Sequence, residues 1–267
     1  MVRRAATVGS CVTARWRLAV PAAVLIFGVT LTGCAASKGG AGTLGSERRA
    51  DSAKRGSSST QPAPRRVRSD SLSAQLPGLG PRTLAEIPDD VRQVVLVTGK
   101  GKDSSDSQVV LYQRGSAGWE AGATWPAHNA LKGWTDDHHL DDDRSPVGVF
   151  SLTDAGGLLA NPGSKLPYDQ STAFTISGTG FVGEPLEGSF DYVIAINYNR
   201  QPGTSPLDWT RPMGANRGGG IWLHVDHGGP THACVSLAQR HMKKLVRTLD
   251  PTQHPMIVMG DAASLER

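Results

Sequence analysis

The feature that most limits how this chain can fold is the segment 35–82, which contains hardly any large apolar side chains. It is rich in Gly, Ser, Ala, Pro and Arg. Such a segment cannot bury enough apolar surface to offset the conformational entropy that folding removes. It is therefore predicted to be a disordered tether. The folded domain must be built from the later residues of this 267-residue chain, which suffice for one domain of ordinary size.

The first 33 residues are predicted to be an export signal. Four arginines precede an apolar stretch over residues 18–31, which is short for a membrane span and is followed by small residues. It ends in residues 31–34 (LTGC), which resemble the lipobox of bacterial lipoproteins. The resemblance implies that Cys34 is lipidated and becomes the mature N-terminus. The alternative is an ordinary signal peptide, or an uncleaved anchor, with an incidental cysteine.

These features divide the chain into a lipoprotein signal peptide (1–33), a lipidated basic tether (34–86) and a folded domain (87–262). The domain is expected to be extracytoplasmic, anchored to the cell membrane through Cys34 and facing the cell wall. The basic tether either stays near anionic lipid or wall polymers, or is merely a soluble linker.

The charge of the chain changes sign along its length. Residues 1–85 carry a net charge of +10, whereas the remaining residues carry −6. The sequence pI of 9.1 therefore reflects the leader and the tether. Because the folded part has no excess of basic residues, nucleic-acid binding is not expected.

Short apolar runs between turn residues predict a mainly β (α+β) domain. Strands are predicted at 94–97, 108–113, 119–123, 146–152, 173–177, 192–197, 221–225 and 256–259. One main helix is predicted after Cys234, where apolar residues repeat at helical spacing between positions 242 and 249. Ser236, with Gln239 three residues later, resembles a capping box at the start of this helix.

Cysteine usage points to Cys234. Cys11 lies in the leader, which should be removed, and Cys34 is the lipidation candidate, so Cys234 is the one cysteine expected in the mature folded domain. A thiol attacks acyl carbon only as the thiolate, and its ordinary pKa of about 8.5 leaves a small ionised fraction. A neighbouring imidazole and the N-terminus of the predicted helix would both favour the thiolate. The N–H groups of that helix are also candidates for stabilising an oxyanion.

Residues 218–237 resemble the signature of the L,D-transpeptidases (the YkuD family). That signature is a His at the end of an apolar strand, a loop, then Ser/Thr-His-Gly-Cys and an apolar residue. Residues 144–150 (RSPVGVF) are similar to the family's Thr/Ser-Pro-x-Gly-x-Phe/Tyr strand. The two motifs occur in the family's order, and the match spans roughly residues 92–260. The resemblance implies an L,D-transpeptidase-like β-sandwich or barrel, with its main helix after the catalytic cysteine.

The resemblance also implies roles for individual residues. Cys234 is the nucleophile, and His224 accepts and donates the proton. Trp222 is expected to share a strand face with His224 and to line the pocket. The residues that would shape the pocket and its loop are His232, Thr231, Ala233, Val235 and Trp222.

Three features depart from the family pattern. Ala233 occupies the place of the usual glycine, where a positive φ would be costly. Ser236 stands where many relatives have Arg or Asn, which removes a contact to a substrate carboxylate. The ten-residue interval from His224 to Cys234 is shorter than in many members.

The activity implied by the resemblance is 3→3 cross-linking of peptidoglycan in cell-wall biogenesis. Cys234 forms a thioester with a tetrapeptide stem and passes it to an amine of a second stem. Water as the acceptor would make the protein an L,D-carboxypeptidase, and an amine of a wall-bound protein is a third acceptor. The expected partners are peptidoglycan stem peptides and, through the lipid anchor, the membrane. A monomer without cofactor or metal is expected.

An alternative of a different class is a non-catalytic, cell-wall-binding lipoprotein on a degenerate transpeptidase fold. Ala233 and Ser236 favour it, whereas the pairing of Cys234 with His224 opposes it.

Two further clusters invite a metal interpretation. A zinc site formed by His224, His227, His232 and Cys234 fits no structural zinc spacing, and His227 is expected to be a solvated loop residue. The acidic run 136–143 offers oxygen ligands for a cation but has no turn glycine and no regular ligand spacing. A solvated acidic loop beside the substrate cleft is the preferred interpretation.

Overall fold

The computed structural model describes residues 72–267. The signal peptide, Cys34 and most of the predicted tether lie outside the described residues. The strands are β1 (Leu72–Ser73), β2 (Gln93–Gly99), β3 (Asp106–Gly115), β4 (Gly118–His128), β5 (Trp134–Thr135), β6 (Ser145–Pro146), β7 (Gly148–Ser151), β8 (Ala155–Gly157), β9 (Tyr168–Gln170), β10 (Val193–Ala195), β11 (Trp222–Val225), β12 (Val235–Leu237) and β13 (Met256–Asp261).

The helices are few and short. They are α1 (Pro81–Ala85), α2 (Gln239–Thr248) and α3 (Ala262–Leu265), with 3-10 turns at Thr172–Phe174, Ala215–Arg217 and Pro251–Gln253. Within residues 72–267, no helix has the length and apolar character needed to cross a membrane.

Eleven of the strands form one mixed sheet. Its order is β7-β13-β2-β3-β4-β12-β11-β10-β8-β9, with β1 paired to β4. Most neighbours are antiparallel, but β13 runs parallel to β2 and β12 runs parallel to β11. The two remaining strands, β5 and β6, form a separate parallel pair. The prediction of a mainly β domain is confirmed.

The apolar run of β2 is explained by burial on both of its faces. Val95 and Val97 belong to the main core, which also contains the buried face of α2. Val94 and Leu96 point the other way, into a smaller core with Trp119. Because successive side chains of a strand point to opposite faces, a strand between two cores reads as a continuous apolar run rather than an alternating one.

The folded domain extends beyond both predicted limits, residues 87 and 262. The N–H groups of Gly80 and Arg82 donate to the carbonyls of Leu265 and Arg267, each at 2.9 Å. Residues 72–86 therefore carry β1 and α1 and pack against the C-terminal segment, although their composition favours a tether. The sequence pattern misses this because the partners are about 185 residues apart in the chain.

The strand predicted at 173–177 is wrong. The N–H of Ala173 donates to the Ser171 hydroxyl at 3.1 Å, which begins a 3-10 turn. Phe174 is buried and its ring lies 5.7 Å from that of Trp222. A side chain that caps the local backbone thus competes successfully with the β propensity of this run.

Candidate functional site

The site residues lie on two neighbouring strands, β11 and β12. These run parallel, with Leu223 opposite Val235 and His224 opposite Ser236. Cys234 directly precedes β12 and is therefore a diagonal neighbour of His224. Because alternate residues share a face, Trp222, His224 and Ser236 point to the same side of the sheet. The fold thus places the predicted nucleophile and the predicted base on the same face of adjacent strands.

Cys234 is held by hydrogen bonds around its backbone and its sulfur. The side chain is completely buried, and Sγ accepts the N–H of Trp222 at 3.3 Å. The Cys234 carbonyl accepts the Thr231 hydroxyl at 2.6 Å and the Ser145 hydroxyl at 3.4 Å. Thr231 therefore has the predicted loop-shaping position, since it closes the turn that leads into Cys234.

Cys234 can act as an acyl-transfer nucleophile only as a free thiolate. A sulfur in a disulfide cannot attack acyl carbon. Any acyl-transfer chemistry at this position therefore belongs to the reduced protein.

His224 has the hydrogen bonding expected of a base. Its Nδ1–H donates to the carbonyl of Val225 at 2.8 Å, which leaves Nε2 as the proton-accepting atom of the neutral ring. The side chain is 3% exposed, and the ring of Phe190 meets it edge-on at 5.5 Å. Burial lowers the pKa of His224 to about 4, so the imidazole is neutral at pH 7.

This pKa predicts an acid-sensitive fold. In the unfolded chain His224 becomes protonated below about pH 6.5. In the folded protein it stays neutral until the pH falls towards about 4. Protons thus favour the unfolded chain, and between pH 7.5 and 5 the free energy of unfolding should fall by about 2 kcal/mol on account of His224. Urea titrations at both pH values should show this loss in the wild type and a smaller loss in His224→Gln. Equal losses in the two proteins would contradict the assigned pKa.

The predicted position of the helix N-terminus is wrong. Helix α2 begins at Gln239, five residues after Cys234, and its N-cap residue, Ala238, makes no side-chain cap. Ser236 lies in β12 instead, and its hydroxyl donates to Asp226 Oδ1 at 2.7 Å. The capping-box interpretation is therefore also wrong. The group that contacts the sulfur is a strand N–H, not the end of a helix.

Asp226 is a site residue that the sequence analysis missed. It lies two residues after His224 and accepts hydrogen bonds from Ser236 and from His128 Nδ1, the latter at 2.8 Å. Burial alone would raise the pKa of Asp226, but these two hydrogen bonds lower it to about 2. The same bond to Asp226 raises the pKa of His128. An ionised carboxylate therefore lies beside Ser236.

His232, the second motif histidine, lies at the edge of the site. Its Nδ1–H donates to Asp143 Oδ1 at 2.8 Å, and the Phe181 ring packs on it at 4.6 Å. Asp143 also pairs with Lys132 at 3.2 Å. The acidic run 136–143 thus meets the site at Asp143, which is bonded to His232 and Lys132. Most of the run, including Asp136, Asp137 and Asp141, is exposed, in agreement with a solvated acidic loop.

The other motif residues pack rather than project into a cleft. Ala233 and Val235 are both buried in the main core, and Val235 pairs with Leu223. Trp222 and His224 both contact the ring of Phe190, which is consistent with the predicted shared face. Trp222 also lines a small cavity with Trp209, Arg211 and Gly220.

Ala233 does not need the conformation that only glycine adopts easily. The described non-glycine residues with positive φ are Asp141, Asp143, Asn199 and His254. Ala233 is not one of them, so the departure from the family glycine introduces no left-handed strain.

We therefore expect Ala233→Gly to lower the free energy of unfolding by about 0.5–1 kcal/mol, because glycine loses more backbone entropy on folding. Urea titration measures this quantity. A higher free energy of unfolding in Ala233→Gly would show that position 233 prefers a glycine conformation.

His227 is not the solvated residue that the sequence predicts. Its side chain is 6% exposed, and Nδ1–H donates to Glu184 Oε1 at 3.0 Å. Its ring stacks on that of His224, with centroids 5.7 Å apart. No cluster of three or more His, Cys, Asp or Glu side chains with the geometry to hold a metal ion occurs among residues 72–267.

Comparisons with known proteins are sparse. No protein-family model matches the chain, and no curated protein matches it. Among solved structures, it is similar to Bd1075 of Bdellovibrio bacteriovorus, with 17% identity and a TM-score of 0.36 over 64% of this chain. The match covers 48% of that protein, so the chain spans about half of its length. A similarity at this level carries no argument about activity.

Proposed function

We propose that the reduced form of this protein is a peptidoglycan L,D-transpeptidase that works through a Cys234 thioester. The observation that carries the proposal is the arrangement on β11 and β12. A buried sulfur next to the Trp222 N–H is a diagonal neighbour of a neutral imidazole, whose Nδ1–H is held by the Val225 carbonyl. A thiol beside an oriented, neutral base is the arrangement that activates a cysteine for acyl transfer.

The first half-reaction releases D-Ala from a tetrapeptide stem. The Cys234 sulfur attacks the carbonyl carbon of the third residue, a diaminopimelate centre, while its proton passes to Nε2 of His224. The C–N bond to D-Ala then breaks, and the imidazolium returns that proton to the departing amine. Because burial keeps His224 neutral at rest, the proton leaves the thiol as the S–C bond forms.

The second half-reaction resolves the thioester. An amine of a second stem attacks the acyl carbon, a C–N bond forms and the S–C bond breaks. His224 takes the proton from the attacking amine and returns it to sulfur. The product is a 3→3 cross-link. Attack by water at the same carbon would give the tripeptide instead, and the protein would then be an L,D-carboxypeptidase.

The test uses the full-length, detergent-solubilised protein, reduced with dithiothreitol, and purified disaccharide-tetrapeptide. Products are separated by liquid chromatography and identified by mass. A dimer lacking one D-Ala is the expected product, and tripeptide alone would identify the carboxypeptidase. A folded, reduced protein that releases no D-Ala would overturn the proposal.

A second candidate is a non-catalytic cell-wall-binding lipoprotein. The burial of both Cys234 and His224 favours it. This candidate predicts binding of muropeptides that is the same with and without reductant, and no covalent adduct. A carbapenem, which acylates members of the L,D-transpeptidase family, separates the two: a catalytic Cys234 gains the mass of the carbapenem, and a non-catalytic protein does not.

A further inference from the structure

One imidazole–carboxylate pair, His227–Glu184, stacks its ring on the candidate base His224. Two further pairs, His128–Asp226 and His232–Asp143, involve other residues of the site. The rings of His227 and His224 lie almost parallel, at an interplanar angle of 10°. The mechanism above does not use His227.

The His227–Glu184 pair is held from several sides. Its side chains are 6% and 10% exposed. The other carboxylate oxygen of Glu184 accepts the N–H of Val182 at 2.9 Å. Gly229 leaves room for the pair, because a Cβ there would lie 2.1 Å from Glu184 Oε1. The His227 ring therefore has few accessible orientations, and it packs against His224 in a fixed position.

We propose that His227 is a positioning residue for His224, and that Glu184 fixes the ring of His227. This inference rests on the proposed function, since it assigns a role within the same site. The parallel ring restricts His224 to the orientation in which Nδ1–H meets the Val225 carbonyl and Nε2 remains the acceptor. A base displaced by a fraction of an ångström transfers protons poorly, so this restriction supports catalysis.

His227 also acts on His224 through its charge. Burial is the main cause of the low pKa of His224, and the charge interaction with His227 lowers it further. The other groups around this pair are Glu184, Asp226 and His128. Burial would raise the pKa of Glu184, but the backbone N–H groups of Glu184 and Val182, together with His227, lower it. Glu184 is therefore the counterion of His227.

The test is the pH profile of D-Ala release by reduced wild type, His227→Gln and Glu184→Gln. In His227→Gln the acid limb of kcat/KM should move to higher pH, because the charge that lowers the pKa of His224 is gone. Its kcat should fall on the order of 10–100-fold while KM stays unchanged. Glu184→Gln should lower kcat in the same direction. His254→Gln is the matched control, since His254 is an exposed histidine paired with Asp90.

An unchanged acid limb and an unchanged kcat in His227→Gln would overturn the inference. A rise in KM alone would overturn it too, because it would make His227 a substrate contact. If the wild type is inactive, the proposed function fails, and NMR titration of the His224 imidazole still tests the coupling. The pKa of His224 must then be higher in His227→Gln than in wild type, and equal values would refute it. Thermal melts confirm that each variant is folded.

Discussion

Cys234→Ser should release D-Ala from the tetrapeptide on the order of 10³-fold or more slowly than the reduced wild type. Serine preserves the size of the side chain and can still accept the Trp222 N–H. Its hydroxyl, however, is a far weaker acid than a thiol. A neutral imidazole with a pKa of about 4 cannot remove that proton effectively. The measurement is the initial rate of D-Ala release under matched reducing conditions.

The control for this variant is wild type that has been oxidised before the assay. Because a disulfide blocks the sulfur, oxidised wild type should be as slow as Cys234→Ser, and only wild type should recover when dithiothreitol is added. Cys234→Ser with wild-type activity would place the nucleophile elsewhere. The hydroxyls of Thr231 and Ser145 both donate to the Cys234 carbonyl.

His224→Gln should slow acylation by about 10²–10⁴-fold, the usual contribution of a positioned general base. Glutamine can still donate to the Val225 carbonyl, so the local structure should survive. What is lost is the acceptor at Nε2. The remaining reaction depends on spontaneous ionisation of the thiol, and its rate should therefore rise steadily with pH up to the pKa of Cys234. Single-turnover acylation, followed by intact mass, gives this rate directly.

A second comparison separates the base from its surroundings. His232→Gln changes a histidine at the edge of the site, where Asp143 and the Phe181 ring contact its imidazole. Its effect on acylation should be much smaller than that of His224→Gln. If His232→Gln proved the slower variant, His232 would be the base and the assignment of His224 would be wrong.

The strands and the main helix could be predicted because each has a local pattern of apolar residues. The runs 94–97, 108–113 and 256–259 fall inside β2, β3 and β13. Met242, Leu245 and Val246 of α2 are buried as their spacing predicts. The short β12 could not be predicted in this way. It has only three residues and is stabilised by pairing with β11 and β4, which no local pattern encodes.

The residues of the candidate site also divide into those that a local sequence pattern reveals and those that it does not. Cys234 and His224 could be found because the motif is contiguous and ordered along the chain. Phe190 and Glu184 could not, because they contact His224 and His227 from loops more than 30 residues away. Asp226 could have been predicted as a site residue, since a residue two positions after His224 lies on the same face of the strand. Ser236 and Gln239 have the spacing of a capping box. In the structure the Ser236 hydroxyl donates to Asp226 instead, and spacing alone does not reveal that contact.

The most direct test of the central claim is the mass and location of the covalent adduct formed with disaccharide-tetrapeptide. Reduced wild-type protein is mixed with substrate, quenched in acid within the first turnover and weighed intact, then digested and mapped. We predict a gain equal to the disaccharide-tripeptide acyl group on the peptide that contains Cys234, in the reduced protein and not in the oxidised one. A folded, reduced protein that carries no adduct, or carries it on another residue, would contradict the thioester at Cys234.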